Sequence, residues 1–304
     1  MRRNACFTLT NRATGRASDD EERCRVPATL APMDSSNHWY GHAHALARWC
    51  GFDKENPPPV EGVIQHGWTF VHGFGAAHKP PVGRPKLAWS DVCRRRGEAI
   101  GWSDYLVIGA PFAYLEALEP VPDEERHGTI WYPFHGTVDF ESVEGDHQVL
   151  IDQIREVEGD DVTVCLYYVE YEDPTVRRFY EESGFRVICH GHRGTLWKDT
   201  DRFFLHKQLA ELRRHKKVAS NRLSTAVFYG ALTGAEVGVY GDPMEFPAVK
   251  DGFDGQPLFQ AWWPWMFGEQ VDRQAAEELA RLELGADLLV PPEELAHLLG
   301  WQHG

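Results

Sequence analysis

The chain has no Cys-x-x-Cys pair. Its six cysteines, Cys6, Cys24, Cys50, Cys93, Cys165 and Cys189, are scattered, so no zinc knuckle or dithiol redox motif is written here. The phosphate loop GxxxxGK[ST], a GxGxxG at a first strand and a GxSxG nucleophile elbow are all missing. Their absence weighs against P-loop NTPases, dinucleotide dehydrogenases and α/β-hydrolases. No apolar run reaches the length of a membrane span. Basic residues are in deficit, 31 Lys and Arg against 46 Asp and Glu, for a net charge of −15. That argues against a nucleic-acid partner and leaves room for a local basic pocket. Without a signal-peptide pattern the expected compartment is the cytoplasm, with reduced cysteines and at most peripheral contact with a membrane surface. No fixed-period repeat is present.

The remaining composition is that of a globular chain large enough for two domains: 304 residues, 42% apolar and 25% charged, with 28 Gly and 19 Pro. The first thirty residues are polar, lack periodicity and are expected to be disordered. Beyond them, short apolar runs alternate with helical patterns. Strands are expected at Gly62–Gln65, Leu87–Ser90, Tyr105–Ile108, Gly128–Pro133, Val162–Val169, Arg186–Cys189 and Glu236–Tyr240, with a short apolar segment at Lys217–Ala219. Helices are expected at His42–Trp49, Asp91–Ala99, Phe112–Leu118, Asp146–Val157, Thr175–Ser183, Phe203–Arg214, Ala226–Leu232, Asp272–Leu284 and Pro292–Leu299. This alternation is the signature of parallel sheets covered by helices. It restarts once, giving an N-terminal domain over residues 31–140 and a C-terminal domain over residues 141–304, with the junction near Gly136–Gly145.

Polar residues that follow expected strands are the candidates for chemistry, because open α/β sheets bind ligands beyond their carboxyl ends. Ser220, Asn221, Ser224 and Thr225 stand at the start of the Ala226–Leu232 helix. The free N–H groups and positive dipole end gathered there suit phosphate, although the same residue types are ordinary N-caps. His66 and His135 each end a strand beside a glycine, where a near-neutral imidazole can move a proton. In His190-Gly191-His192-Arg193 the arginine can clamp an anion through its planar fork. No carboxylate or further cysteine stands at ligand spacing there, so no metal site is expected. Asp139, Glu141 and Glu170 are further candidate bases. The 11 tryptophans, among them Trp262-Trp263-Pro264-Trp265, could stack on sugar or pack a domain connection.

Taken together, several pieces resemble glycosyltransferases of the GT-B architecture, and among them the bacterial capsule and surface-polysaccharide enzymes of polysialyltransferase-like and Kdo-transferase-like type. The pieces are Ile64-Gln65-His66-Gly67, Val107 to Leu115, Tyr132-Pro133-Phe134-His135, Gly184-Phe185-Arg186-Val187 with His190 to Arg193, and Ser220-Asn221 with Ser224-Thr225. The family's His-Pro element is absent as such. The resemblance implies an α/β fold of two Rossmann-like domains facing across a cleft. It implies transfer of a sugar from a nucleotide-sugar co-substrate to a glycan or glycolipid acceptor, without metal or bound cofactor. By it, His66 and His135 would be catalytic, and His190, His192, Arg193, Ser220, Asn221, Ser224 and Thr225 would hold the nucleotide and its phosphates. The alternatives are a sugar-nucleotide epimerase or hydrolase on the same fold, and a non-catalytic glycan-binding or assembly protein.

Overall fold

A computed structural model describes residues 35–68, 72–74, 83–135, 143–193, 200–245 and 255–302. The expected disordered N-terminal segment, Asp139 and Glu141 lie outside the described residues. Among those residues, no helix is long and apolar enough to cross a membrane.

Two parallel sheets form the frame. The first has three strands in sequential order, β1 (Val63–Ile64), β2 (Lys86–Ala88) and β3 (Tyr105–Val107). Helix α1 (His42–Trp49) precedes β1, α2 (Asp91–Ala99) joins β2 to β3, and α3 (Pro111–Leu118) leaves the sheet. The second sheet has five strands: β4 (His127–Tyr132), β5 (Val162–Cys165), β6 (Arg186–Ile188), β7 (His215–Ser220) and β8 (Glu236–Val239). Their order, β6-β5-β4-β7-β8, reads 3-2-1-4-5 when counted from β4. That is the doubly wound order of a Rossmann-type sheet, which reverses direction beside β4. The connecting helices are α4 (His147–Glu158), α5 (Tyr168–Glu172), α6 (Pro174–Glu182), α7 (Phe204–Arg214) and α8 (Thr225–Leu232). After β8 come α9 (Gln256–Trp262), α10 (Arg273–Leu284) and α11 (Pro292–Leu298).

Local signals account for these elements. Ser90, Asp146, Asp173 and Asp272 each accept a first-turn N–H and start α2, α4, α6 and α10, as N-cap side chains do. All four residues of β5 are buried, the pattern of a central parallel strand covered on both faces. Gly285 ends α10 at φ +63°, and a Cβ there would run into the Trp89 carbonyl, so the position requires glycine.

Sheet membership corrects the expected domain division. β4 lies at the centre of the second sheet, between β5 and β7. The chain therefore changes sheet ahead of β4, and not near Gly136–Gly145. Arg213 of α7 fixes this crossing by donating to the carbonyls of Glu116, Glu119 and Pro120 at the end of α3. α11 also returns to the first sheet, where Leu295, Leu299 and Trp301 pack with Leu46, Leu87 and Tyr114. A second correction concerns Val162–Val169, which is strand only to Cys165 before Tyr168 opens α5.

The two units share a core. Trp68, just beyond β1, packs on Phe228 of α8, Phe259 of α9 and Trp263. Its Nε1 donates to Glu283 at 2.8 Å, and Arg96 of α2 grips the same carboxylate at 2.8 and 2.7 Å. The Arg96 guanidinium lies 5.0 Å from the Trp262 ring and 5.5 Å from the Trp263 ring. The tryptophan cluster thus packs the connection between the units. Trp68, Trp89 and Trp131 are fully buried. Burial of each stabilises the fold by roughly 4–6 kcal/mol before entropy is counted. This outweighs the cost, about 1–3 kcal/mol, of leaving the buried Trp89 Nε1 without a hydrogen-bond partner.

We expect Glu283→Ala to lower the unfolding free energy by about 3 kcal/mol, because it strands the Arg96 charge and the Trp68 N–H. Adding Arg96→Met should recover part of that loss. Urea denaturation of the three proteins is the check, and a loss below about 1 kcal/mol in Glu283→Ala would contradict this role.

Candidate functional site

The loops beyond the carboxyl ends of the two sheets converge. His66 follows β1, His135 follows β4, Tyr167 and Tyr168 follow β5, and His192 and Arg193 follow β6. A turn over Ser35–Gly41 crosses between the units, and the Tyr40 N–H donates to the Arg193 carbonyl at 3.0 Å. Tyr40 holds a left-handed backbone, φ +56°, a conformation that costs a bulky residue energy and recurs at functional sites.

Around this junction the side chains form one constellation. The Arg193 guanidinium stands 4.8 Å over the Trp39 ring, and its Nη1 is 3.3 Å from His66 Nε2. The His66 ring meets Trp39 edge-on at 4.6 Å and lies 5.0 Å from Tyr40. Tyr167 stacks on His135 at 4.0 Å and abuts Tyr168 at 4.6 Å. Tyr168 in turn lies 3.9 Å from His192. No carboxylate among the described residues pairs with Arg193, and its Nε has no hydrogen-bond partner. A half-buried guanidinium held by rings and an imidazole retains its attraction for an anion.

The structure separates the other expected residues from this cluster. His190 is buried behind it, 2.9 Å from the Tyr132 hydroxyl and edge-on to Phe204. Ser220 is buried, and its Oγ accepts the Arg222 N–H at 3.3 Å. Asn221 accepts from the Phe134 N–H at 2.7 Å and donates to the Asp242 carbonyl at 2.6 Å. It thereby ties together the ends of β4, β7 and β8. At the start of α8, Ser224 occupies the N-cap position but its side chain makes no cap bond, and its Oγ is without a partner. Thr225 Oγ1 accepts the Trp68 N–H at 3.1 Å, so the first turn of α8 abuts the His66–Trp68 loop. Glu170 lies in the first turn of α5.

Trp39, Tyr40, Tyr167 and Tyr168 are the site residues that sequence reasoning missed. Two open recesses lie elsewhere, about 420 Å³ beside Asp91 and Glu294 and about 500 Å³ beside Glu156 and Glu269. Their acidic walls repel a phosphate, whereas the convergence at Arg193 attracts one.

No family model matches the sequence, and no curated protein does. Some solved structures are similar at low identity. A protein of Listeria monocytogenes assigned as a UDP-N-acetylglucosamine 2-epimerase is 14% identical, over 71% of this chain and 53% of that one, with a TM-score of 0.34. For the wall teichoic acid polymerase TagF the values are 13%, 71%, 52% and 0.36. For Anabaena Alr3699/HepE in complex with UDP and glucose they are 14%, 71%, 59% and 0.27. The chain spans little more than half the length of these proteins. At such scores the likeness assigns neither family nor activity, and the functional reading rests on the site itself.

Burial sets the charge state of the surrounding histidines. It lowers the pKa of His42 and of His190 to about 3. Burial, with His44 adding to it, lowers that of His38 to about 4. These rings stay neutral in the folded chain at any higher pH, while the unfolded chain binds protons below about pH 6.5. Stability is therefore level above about pH 6.5 and falls as the pH drops from there toward the folded values. Each ring contributes up to about 1.4 kcal/mol per pH unit in that window. We expect His42→Asn to make the decline shallower by about one proton between pH 6 and 4 (roughly the span set by those pKa values). Equal slopes for both proteins in urea denaturation would contradict a neutral buried His42.

Proposed function

We propose that the chain is a nucleotide-sugar-dependent glycosyltransferase of GT-B type acting on a surface glycan or glycolipid. The observation that carries this reading is Arg193, a guanidinium without a carboxylate partner, set among aromatic rings where the carboxyl ends of two parallel sheets meet. Flat rings suit a nucleobase or sugar, the cation suits a phosphate, and the start of α8 adds backbone N–H groups and the Ser224 hydroxyl. The order of the motifs along the chain supports the same reading.

In this scheme the bond from the anomeric carbon to the phosphate oxygen breaks, and its electron pair leaves with the nucleotide. Arg193 and the first turn of α8 stabilise the charge that develops there. The acceptor hydroxyl bonds to the anomeric carbon, and its proton passes to His66 Nε2. His192 flanks the nucleotide beside Tyr168, and His135 braces Tyr167. His190, Ser220 and Asn221 hold the loops in place, because their polar atoms are already committed within the protein. The acceptor would be met at the inner face of a membrane by a protein that visits its surface.

The test is a thermal-shift panel of CMP, CDP, UDP, GDP and dTDP on the wild type, Arg193→Ala and Ser224→Ala. A ligand that binds the folded state raises its melting temperature. We expect one nucleotide to stabilise the wild type, and Arg193→Ala to bind it about 10- to 100-fold more weakly, the scale of a charged hydrogen bond. His66→Ala should keep that binding and lose about 100-fold or more in transfer. If no nucleotide shifts folded protein, the reading fails in favour of a glycan-binding protein. Turnover of nucleotide sugar without acceptor would favour an epimerase or hydrolase.

A further inference from the structure

The contact between Arg193 and His66 constrains more than position. A guanidinium only donates hydrogen bonds. With Arg193 Nη1 at 3.3 Å, His66 Nε2 must be the acceptor, so the imidazole is neutral and its lone pair points at the arginine. The atom needed to take a proton from an acceptor hydroxyl is therefore occupied by the residue that attracts phosphate. The Trp39 ring and Tyr40 also face His66, and Tyr40 is kept a neutral phenol by its burial. Arg193 thus brings a charged group into contact with His66. No carboxylate among the described residues holds the guanidinium, its Nε has no hydrogen-bond partner, and it lies over the face of Trp39. The Arg193 backbone, in contrast, is held, since its carbonyl accepts from the Tyr40 N–H at 3.0 Å and from Thr200 Oγ1 at 3.2 Å.

We propose that Arg193 is a removable block on His66: the phosphates of a nucleoside diphosphate draw the guanidinium off the imidazole and so free its lone pair for the acceptor hydroxyl. This deepens the reading of the junction as a nucleotide site and rests on it. Its consequence is order: the donor enters first and the base becomes competent afterwards. Binding of the anion acts on His66 twice over, by removing a cation and by adding negative charge nearby, and both raise its affinity for a proton. A base that stays blocked without donor also prevents idle proton exchange with water at the site.

The test is nitrogen-detected NMR of the full chain labelled at its histidines, with the His66 signals assigned by their loss in His66→Gln. The probe is pyrophosphate. In wild type alone, Nε2 of His66 should show the shift of a nitrogen that accepts a hydrogen bond, with the proton on Nδ1. Saturating pyrophosphate should release Nε2 and raise the His66 titration midpoint by about one pH unit, a tenfold gain in proton affinity. Arg193→Gln should give the released Nε2 without pyrophosphate and respond to it no further. Arg193→Met serves in its place if that variant is unfolded. If pyrophosphate moves the His192 signals and leaves His66 Nε2 unchanged, the block is refuted while the anion site stands. If Arg193→Gln releases Nε2 and pyrophosphate disturbs neither histidine, the coupling and the anion site fail together. If Arg193→Gln leaves Nε2 unchanged, the contact itself is refuted.

Discussion

The buried carboxylate of Glu283 is the constraint on which the rest of this structure depends. It is 2% exposed and takes three hydrogen bonds, two from Arg96 and one from Trp68. A charge so placed persists only where donors surround it. Satisfying it brings α2 of the first unit and α10 of the C-terminal segment to the loop beyond β1. The Trp68 N–H then binds Thr225 at the start of α8, and the Gln65 amide donates to the Gly67 carbonyl. The loop that carries His66 is thus clamped on both sides. A second clamp, Tyr40 N–H to the Arg193 carbonyl, fixes the opposing loop. Core packing therefore sets the backbone geometry of both loops in advance.

Charge is distributed to match. The chain carries a net −15, and most arginines among the described residues are engaged. Arg96, Arg186 and Arg213 hold carboxylates or carbonyls, and Arg222 lies on Phe134 with backbone carbonyls as acceptors. Arg193 differs in resting on rings and on an imidazole. An acidic surface discourages non-specific polyanions, while one recessed cation retains its pull on a small one. The surrounding neutral histidines and phenols add polar surface without adding charge.

Much of the fold was legible in the sequence. The His42–Trp49 helix, the Asp91–Ala99 helix and the Arg186 strand stand where apolar spacing and turn residues mark them. What was hidden is non-local. A parallel strand carries no label for its sheet, so β4 read as the last strand of the first unit although it pairs with β5 and β7. The apolar, β-forming run after Val162 masked the end of β5 and with it the inward turn of Tyr167 and Tyr168. For the candidate site, residue type singled out loops that the fold brings together at His66, His135, His192 and Arg193, but not the surroundings of each residue. Asn221 reads equally well as a phosphate ligand or a loop tie, and only the ends of β4 and β8 beside it decide for the tie. Similarly His190 and His192 look alike in sequence, and two apart on a strand they would share a face, but β6 ends at Ile188 and Gly191 between them takes φ +109°, so one lies in the core and the other against Tyr168.

The most direct test of the central claim, that the junction of the two units is a nucleotide-phosphate site, is a crystal structure of the protein with a nucleoside diphosphate. The account predicts phosphates between the Arg193 guanidinium and the first turn of α8, with a base or ribose against the Trp39, Tyr167 and Tyr168 rings. Phosphates bound away from Arg193, with that guanidinium still on His66 and Trp39, would contradict it.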